Sequence, residues 1–462
     1  MPLRSGPRLP SKVELCDLHA PTAGHWEMDR TRDVRAVTSS PAWIDSVASQ
    51  PLRGEWSVRE AALLIFCEPF PPQCYRLQNL SGKEWRTLLR WLDISGLALY
   101  FLDRILELKL ADWLPPSVWA RLQKNLADNT ERTRGMITES IAIQQEFQKA
   151  HLSYAKLKGL SLWPSSVPRP ELRSQFDLDF LVAEESAPKA RRILEQRGYR
   201  LYFESGRSWE FKLNEKPGTS LKDLYKALPS HAVELHIEST VSGRSSSLER
   251  AERRNLQGCI MPVLSPVDLF LGQGLHAYKH VCSEFSRAAH LLEFRRHVLV
   301  RRDDHAFWKE LRSITEGNPR ASLGLGVVTL LITHVMGDFA PEALTDWTVE
   351  CLPRSARLWV ERYGRRAVFG SNPGTKLYLL LQKELEAAGV PAKRSLQQIL
   401  LPVRLPPPVI RAFPNETLAV RLGRYRMQLH FILRRLRFHI VEGLRYAWES
   451  HRWQRQIDRF EP

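Results

Sequence analysis

Apolar residues along the chain recur with two different periods. From 56 to 150 they are spaced three and four residues apart, as in the run 85–108, and this spacing predicts helices. Between 154 and 238 apolar and polar residues alternate in several short runs, which predicts strands. After Pro262 the helical spacing returns and continues to about residue 400. The pattern therefore predicts a small sheet between two helical regions.

The predicted strands and the helix between them have recognisable ends. "YAKLKG" ends at Gly159, and Ser186 stands where it can cap a helix over 187–197 that Gly198 ends. The predicted strands are 154–159, 176–182, 199–204, 209–213 and 232–238. From this order we predict an α+β fold, in which a small mixed-sheet core is flanked by N- and C-terminal helical regions.

We divide the chain into five predicted parts. Its first residues are rich in proline, serine and charge without periodicity, and the segment "LPPPVI" precedes a last, basic helix. The parts are a loosely ordered N-terminal arm (1–55), a helical region (56–150), an α/β core (151–260), a helical region (261–400), and a Pro-rich linker with a basic amphipathic helix (401–462).

The composition is that of an ordinary soluble globular protein, with 43% hydrophobic and 26% charged residues among 462. The six cysteines are scattered and form no CxxC pair, which argues against a zinc site and for reduced thiols. The N-terminus has no apolar stretch that suits a signal peptide. The most apolar window, 321–337, is shorter than the roughly 20 residues that span a membrane. We expect that window to be a buried core helix and the protein to be cytoplasmic.

Positive charge is concentrated in the C-terminal part. The formal net charge of +16 favours polyanionic partners, and residues 401–462 contain twelve arginines, no lysine and five acids. Apolar residues at steps of three or four, from Leu422 to Leu444, form one face of the last helix, and arginines crowd its other faces. The helix either packs on its own protein with a solvated basic face, or docks on an anionic membrane surface or a nucleic acid.

Candidate chemistry centres on the run "RSQFDLDFLV". In a strand, Asp177 and Asp179 share one face, where they repel each other and lose hydration, so a cation is expected beside them. On the later strand, Glu234 lies on the polar face. If the two strands are neighbours, three carboxylates meet at spacings of about 4.8 and 6.6 Å, which suit two cations. Two-metal phosphoryl-transfer sites need this arrangement.

A glycine turn before the aspartates supplies candidate phosphate ligands. The backbone N–H groups after Gly159, the Ser161 hydroxyl and the Lys158 ammonium group can together cradle a triphosphate. Lys158 is equally well interpreted as a surface lysine. Arg173, four residues before Asp177, either neutralises phosphate or pairs with the aspartates.

Three histidines and one further acid have open roles. His236 shares the face of Glu234 and is either a hydrogen-bond partner or a ligand. Glu238 ranks second to Glu234 as the third acid. His276 and His280 are four apart on one helical face, the spacing of a metal pair, but no third ligand is near them in sequence. A structural role or a nucleotide contact is therefore favoured for this pair.

Taken in order, these motifs resemble the polymerase-β-type nucleotidyltransferase superfamily. The branch that matches best is that of uncharacterised bacterial nucleotidyltransferases, over about residues 80–300. The shared pieces are Leu157-Lys158-Gly159, Arg173 through Val182, Gly198-Tyr199, Val233 through His236, and His276 through His280.

The resemblance implies metal-dependent transfer of a nucleoside monophosphate from an NTP to an acceptor hydroxyl that the sequence does not identify, with pyrophosphate leaving. It implies Mg²⁺ or Mn²⁺ as the cofactor. The implied catalytic residues and metal ligands are Asp177, Asp179 and Glu234. The implied nucleotide-binding residues are Lys158, Gly159, Ser161 and Arg173.

Two alternatives to this enzyme stay open. A degenerate member of the fold would bind a nucleotide or nucleic acid without catalysis. Departures from the family pattern favour it: Leu160 follows the turn glycine, Phe176 precedes the first aspartate, and Glu293 stands where an aspartate is usual. A glycosyltransferase also grips a nucleotide sugar with D-x-D and a metal, but its fold needs a nucleotide-binding βαβ region before the motif, where 56–150 predicts helices.

Overall fold

The structure, a computed structural model, describes residues 55–213, 224–226, 232–238, 246–256, 258–284, 286–370, 373–391, 395–400 and 416–459. The predicted N-terminal arm lies outside these residues apart from Glu55. The predicted Pro-rich linker lies outside them over 401–415.

Within residues 55–153, four α-helices precede the first strand. They are α1 (Glu55–Leu64), α2 (Gly82–Ser95), α3 (Ala98–Glu107) and α4 (Pro116–Lys149). The sequence encodes both ends of α2. The Ser81 hydroxyl accepts from the Glu84 N–H while the Glu84 carboxylate accepts from the Ser81 N–H, and Gly96, with φ of 78°, ends the helix. The apolar face of α2 is buried, as its spacing predicts.

Seven strands form one mixed sheet in the described part of the chain. In chain order they are β1 (Tyr154–Lys156), β2 (Asp177–Val182), β3 (Arg200–Ser205), β4 (Ser208–Lys212), β5 (Ala232–Ile237), β6 (Glu252–Leu256) and β7 (Cys259–Val263). Across the sheet the order is β3-β4-β5-β2-β1-β7-β6. The pairs β2/β5 and β1/β7 are parallel and the other neighbours are antiparallel. This mixed sheet with helices on both sides of it in sequence confirms the predicted α+β fold.

Alternation along β2 decides which residues face the core. Leu178, Phe180 and Val182 are fully buried in a cluster that includes side chains of α4 and of α5 (Ala187–Gln196). Burying each such side chain contributes about 1.5–3 kcal/mol. A slip of one residue would bury Asp177 and Asp179 in their place, so the apolar set fixes the register. The two aspartates therefore lie on the opposite face of the sheet.

Two details differ from the sequence-based expectation. Strands β6 and β7 were not predicted, because polar residues break the alternation of the first and Pro262 interrupts the second. The predicted cap by Ser186 is wrong, since its side chain makes no cap hydrogen bond and accepts instead from the Ser153 N–H at 3.2 Å. Proline in the first turn of α5 removes one of the N–H groups that a cap would satisfy.

A second helical region follows the sheet. Its helices are α6 (Pro266–Val281), α7 (Ala288–Val300), α8 (His305–Thr315), α9 (Pro319–Met336), α10 (Glu342–Thr348), α11 (Arg354–Phe369), α12 (Tyr378–Ala387) and α13 (Leu396–Leu400). Among the residues described, α9 is the one helix long and apolar enough to cross a membrane, and 67% of that window is buried inside the protein. A Cβ at Gly326 would lie 2.5 Å from the Thr348 carbonyl oxygen, so α9 and α10 approach too closely for a larger residue. These contacts agree with the prediction of a core helix.

The last helix, α14 (Leu418–Ile457), packs on the protein through its second half. Trp453 is buried and its Nε1 donates to Glu384 Oε1 at 3.1 Å, while Glu449 accepts from the Tyr363 hydroxyl at 2.8 Å. Another face is solvated along its apolar stripe, whose members are each more than half exposed. They are Leu418, Leu422, Tyr425, Leu429, Leu433, Leu436, Ile440 and Leu444. The apolar stripe is therefore not the face that docks on this protein.

Candidate functional site

The parallel pair β2/β5 brings the three predicted acids together. Asp179 is directly opposite Glu234, and Asp177 is opposite Ala232. Because residues opposite each other in neighbouring strands share a face, all three carboxylates lie on the side of the sheet that faces away from α4 and α5. This is the placement that alternation in the two strands predicts.

Two basic side chains lie among these acids. Lys158 Nζ is 2.9 Å from Asp179 Oδ1 and 3.9 Å from Glu234 Oε2. His236 Nε2 is 3.4 Å from Asp179 Oδ1 and 3.5 Å from Glu234 Oε2. We call Asp179, Glu234 and His236 the acidic cluster, since their ligand atoms lie within 4.8 Å of one another. Its negative charge is balanced by the protein's own cations.

The charges of this cluster stabilise one another. Burial alone would raise the pKa of Asp179, but the hydrogen bond with His236 and the charge of Lys158 outweigh burial and lower it. Burial would lower the pKa of His236, yet its bonds to Asp179 and Glu234 raise it to about 9. The pKa of Glu234 is lowered by the same histidine and by the Ser208 hydroxyl, which donates to it. His236 is therefore an imidazolium at neutral pH.

Asp177 differs from its neighbour two residues along. It lies on the same face but outside the acidic cluster. Burial and the charge of Asp179 raise the pKa of Asp177, and Lys158 and Arg173 offset only part of this. Of the two aspartates, Asp177 is therefore the one whose repulsion by a neighbouring negative charge a bound cation would relieve.

The glycine turn is tightly packed. Residues Gly159–Leu162 form a 3₁₀ turn that begins with φ of +70° at Gly159, where a Cβ would lie 2.6 Å from Gln175 Oε1. Arg254 donates to the Ser161 carbonyl at 3.0 Å. The Ser161 hydroxyl is buried and has no hydrogen-bond partner. The turn thus brings Lys158 against the acidic cluster, while the hydroxyl of Ser161 points into protein.

Arg173 pairs with neither aspartate. Its Nε is 3.1 Å from Glu293 Oε1, and its Nη1 donates to Gln175 Oε1 at 3.2 Å. The Tyr100 hydroxyl donates to the same Glu293 oxygen at 2.8 Å. Burial would raise the pKa of Glu293, but Arg173 and His290 outweigh it and bring it to about 2. Glu293, which stands where the family pattern has an aspartate, is therefore a buried anion that holds Arg173.

Lys156 and Glu238 end up away from the acidic cluster. Lys156 is fully buried, its Nζ lies 4.2 Å from the centre of the Phe180 ring, and burial lowers its pKa to about 8 against the pull of the aspartates. Alternation would put Lys156 and Lys158 on one face, but β1 ends at Lys156 and the chain turns. Glu238, the second choice as third acid, accepts from the Ser247 N–H at 2.7 Å and so holds a neighbouring turn.

The pair His276 and His280 lies outside the acidic cluster and gains a third histidine. His290, at the start of α7, brings its ring to 4.7 Å from His276 and 4.5 Å from His280, centre to centre. We call these residues the histidine triad. Sequence reasoning missed His290 because the turn between α6 and α7 removes any regular spacing.

The donor set of the acidic face suits a hard divalent cation. Asp179 and Glu234 offer carboxylate oxygens within reach of each other, and Asp177 adds a further oxygen donor on the same face. Carboxylate oxygens are the ligands that Mg²⁺ and Mn²⁺ prefer. The residues present therefore fit the predicted kind of metal site.

The chain was compared with known protein families, curated proteins and solved structures. The model of a family described as "Uncharacterised nucleotidyltransferase" matches residues 81–337, more than half of the chain. No curated protein matches the chain. Among solved structures, an antigenic nucleotidyltransferase-like protein from Paracoccidioides brasiliensis is similar, with 16% identity and a TM-score of 0.26, over 41% of this chain and 90% of that chain. The matched segment runs from α2 to the end of α9 and contains the acidic cluster and the histidine triad.

Proposed function

This chain belongs to the uncharacterised nucleotidyltransferase family, and from that premise we propose that it moves a nucleoside monophosphate from an NTP to an acceptor hydroxyl in a metal-dependent reaction. One observation carries the proposal. Asp179 and Glu234 face each other across two parallel strands with Asp177 on the same face and Lys158 between them. Acids grouped on one face in this way can hold the metal ions that phosphoryl transfer uses, and the lysine beside them can contact a phosphate.

In this proposal Asp177, Asp179 and Glu234 hold Mg²⁺ or Mn²⁺. When bound, the metal would lower the pKa of the acceptor hydroxyl and neutralise charge on the transferred phosphoryl group. Glu234 is oriented for this role by Ser208, and both Asp179 and Glu234 are held by His236.

The nucleotide is held by the turn before β2. Once a metal takes over its carboxylate partners, Lys158 presents its ammonium group to phosphate as a point charge. The backbone N–H groups after Gly159 add donors for phosphate once the Gln175 side chain, which lies against Gly159, moves aside. Arg173 supplies a fixed positive charge because Glu293 anchors it. Ser161 takes part only if the turn opens, since its hydroxyl is buried.

The first test does not require the acceptor. The melting temperature of the protein is measured with each NTP and dNTP, with and without Mg²⁺ or Mn²⁺. At least one NTP with metal should raise it, because a ligand that binds only the folded state stabilises that state. Glu234→Gln should remove the metal-dependent rise. Glu238→Gln, on the same polypeptide segment but outside the cluster, is the matched control and should keep it.

Turnover is then measured with the NTP that gives the largest rise. Pyrophosphate release and transfer of label from an α-³²P nucleotide to components of a cell extract should both depend on metal and on Glu234. If no nucleotide changes the melting temperature and no label moves, the proposal is wrong.

The degenerate alternative is favoured by one observation. The buried Ser161 hydroxyl and the contact of Gln175 with Gly159 leave less room at the turn than a phosphate cradle needs. A protein of this kind would show the metal-dependent rise in melting temperature without any label transfer. The glycosyltransferase alternative lacks the element it needs, because residues 55–153 contain helices and turns and no strand.

For the basic helix α14 we propose docking on an anionic membrane surface. The helix contains nine arginines and two acids. Its exposed apolar stripe repeats every eleven residues. Two of its rows are Leu418, Leu429 and Ile440, and Leu422, Leu433 and Leu444. An eleven-residue repeat of about 3.67 residues per turn keeps the stripe nearly straight, whereas a left-handed coiled-coil partner needs seven. A straight apolar stripe flanked by arginines fits a flat anionic surface at the cytoplasmic side of a membrane.

Vesicle sedimentation tests this docking. The protein should bind vesicles that contain phosphatidylserine more strongly than vesicles of phosphatidylcholine alone. Leu429→Gln with Leu433→Gln should lower vesicle binding, and Leu299→Gln, an exposed leucine on α7, should not. If the protein binds RNA but does not bind vesicles, and the leucine substitutions leave RNA binding unchanged, the helix is assigned to nucleic acid and the membrane proposal is rejected.

A further inference from the structure

Three imidazole rings meet between α6 and α7. His276 and His280 are four residues apart on α6, so they lie on the same side of the helix, and their ring centres are 4.7 Å apart. His290 in the first turn of α7 faces both. One ring nitrogen from each of the three lies within 4.8 Å of the other two. The three rings thus converge on one point.

Two of the three rings, those of His276 and His290, are held in the neutral form that a metal needs. Burial, with the mutual repulsion that charging would bring, lowers the pKa of His276, and burial lowers that of His290 against the pull of Glu293. Neutral imidazole has a free lone pair on one nitrogen, which is the form that coordinates a cation. His276 and His290 therefore each offer a nitrogen lone pair to a cation.

A carboxylate lies behind one of the rings. Glu293 Oε2 is 3.7 Å from His290 Nδ1, while its other oxygen accepts from Tyr100 and pairs with Arg173. Histidines that bind metals almost always present their second nitrogen to a carboxylate or carbonyl, which fixes the ring and makes it a better donor. Glu293 thus lies beside Nδ1 of His290, and Nε2 is the nitrogen left for a metal.

We propose that His276, His280 and His290 form a binding site for a divalent transition-metal cation such as Zn²⁺, separate from the acidic cluster. Three nitrogens bound to one zinc at about 2.0–2.1 Å lie roughly 3.4 Å apart in a tetrahedral site, so small ring rotations complete the geometry. His276 and His280 are partly exposed, which gives a cation access from solvent and leaves a fourth position for water or a ligand.

Ligand type separates this site from the acidic cluster. Imidazole nitrogens select Zn²⁺, Co²⁺, Ni²⁺ and Cu²⁺, whereas carboxylate oxygens suit Mg²⁺ and Mn²⁺. The scattered cysteines, which argue against a zinc site in the sequence, bear only on thiolate ligands. Lys158 and Arg173 are among the charges that lower the pKa of His276, so the triad lies near the acidic face and a metal there would add positive charge close to a bound phosphate.

The test is a cobalt titration of the untagged full-length protein after EDTA treatment. Co²⁺ bound by three nitrogens and water should give visible absorption bands of a four-coordinate site, at one metal per chain, and Zn²⁺ should displace it. His280→Gln and His276→Gln should each weaken binding by more than the roughly 10–100-fold that loss of an outer partner costs. Both substitutions replace partly exposed rings, so we expect the variants to fold. Circular dichroism checks their folding independently of metal binding.

Two control variants locate the site. His305→Gln changes an exposed histidine on α8 and should leave cobalt binding unchanged. Glu234→Gln changes the acidic cluster and should also leave it unchanged, whatever it does to Mg²⁺ binding or turnover. The proposal is overturned if the bands are absent, if they persist at full intensity in the doubly substituted His276→Gln and His280→Gln protein, or if Glu234→Gln abolishes them.

Discussion

The acidic cluster and the histidine triad contrast in how their charge is balanced. In the first, two carboxylates are neutralised by Lys158 and by the protonated ring of His236. In the second, three rings converge and burial keeps at least two of them neutral. A cation that enters the acidic cluster must replace the ion pairs of Lys158 and His236, whereas His276 and His290 meet a cation as neutral rings. Metal-free stability and metal affinity should therefore be opposed in the first site and largely independent in the second.

Glu293 joins the two regions. It pairs with Arg173 on the strand side and stands behind His290 on the helix side. A change at this one carboxylate should therefore affect both regions.

Glu293→Gln should have the largest effect. The substitution leaves Arg173 as an unpaired buried charge, and breaking a buried pair from one side costs about 3–5 kcal/mol. Urea denaturation of the metal-free protein measures this loss. The same variant should weaken cobalt binding at the triad about 10–100-fold, because an outer partner of His290 is removed.

The control for Glu293→Gln is Glu195→Gln. Glu195 pairs with Arg191 on the surface of α5, with both side chains 41% exposed, and such pairs contribute about 0.5 kcal/mol or less. If the two variants are equally stable, Glu293 does not join the two regions in the way described.

The second prediction separates the two aspartates of β2. Asp179→Asn should destabilise the metal-free protein by about 1–3 kcal/mol, because Lys158 and His236 lose a charged partner. Asp177→Asn should leave stability unchanged or raise it, since the substitution removes a charge that burial and Asp179 disfavour. Thermal unfolding in EDTA gives both values. Equal destabilisation by the two variants would contradict the assignment of Lys158 to Asp179.

From the sequence alone, Asp177→Asn and Asp179→Asn are expected to change the stability of the metal-free protein in the same direction. Alternation places Asp177 and Asp179 on one face and Glu234 beside them, and this much of the site follows from strand periodicity. The partner of each acid does not follow from it. Lys158 reaches Asp179 because β1 ends two residues earlier, and no pattern in "YAKLKG" marks that end.

Long-range partners were beyond sequence reasoning for a related cause. Arg173 and Glu293 are 120 residues apart, and only the packing of α7 near the strand side brings them together. Likewise His290 joins His276 and His280 because α6 ends at Val281 and α7 returns beside it. Periodicity identifies which face a residue occupies, but contacts between elements depend on the lengths and angles of turns, which carry no regular signal.

Changes of pH should have the smallest effects on stability. In the folded protein the pKa of His236 is raised from 6.5 to about 9, so its contribution to stability is complete below pH 6.5 and is lost as pH rises through 9. Between pH 7 and 8 the loss should be about 1 kcal/mol. The pKa of Lys156 is lowered to about 8, so above pH 8 the titration of Lys156 changes stability in the opposite direction. This obscures the loss that His236 causes. His236→Gln should flatten the profile between pH 7 and 8.

The histidine triad should give the reverse slope on the acid side. Because the pKa values of His276 and His290 are lowered, the unfolded chain binds protons that the folded protein does not, and stability should fall as pH drops from 6.5 to 5.5. His276→Gln should weaken this dependence and leave the interval between pH 7 and 8 unchanged, whereas His236→Gln should do the opposite. Denaturation in EDTA at pH 5.5, 6.5, 7 and 8 measures both. If one substitution flattens both intervals, the two clusters titrate as one and the contrast between them fails.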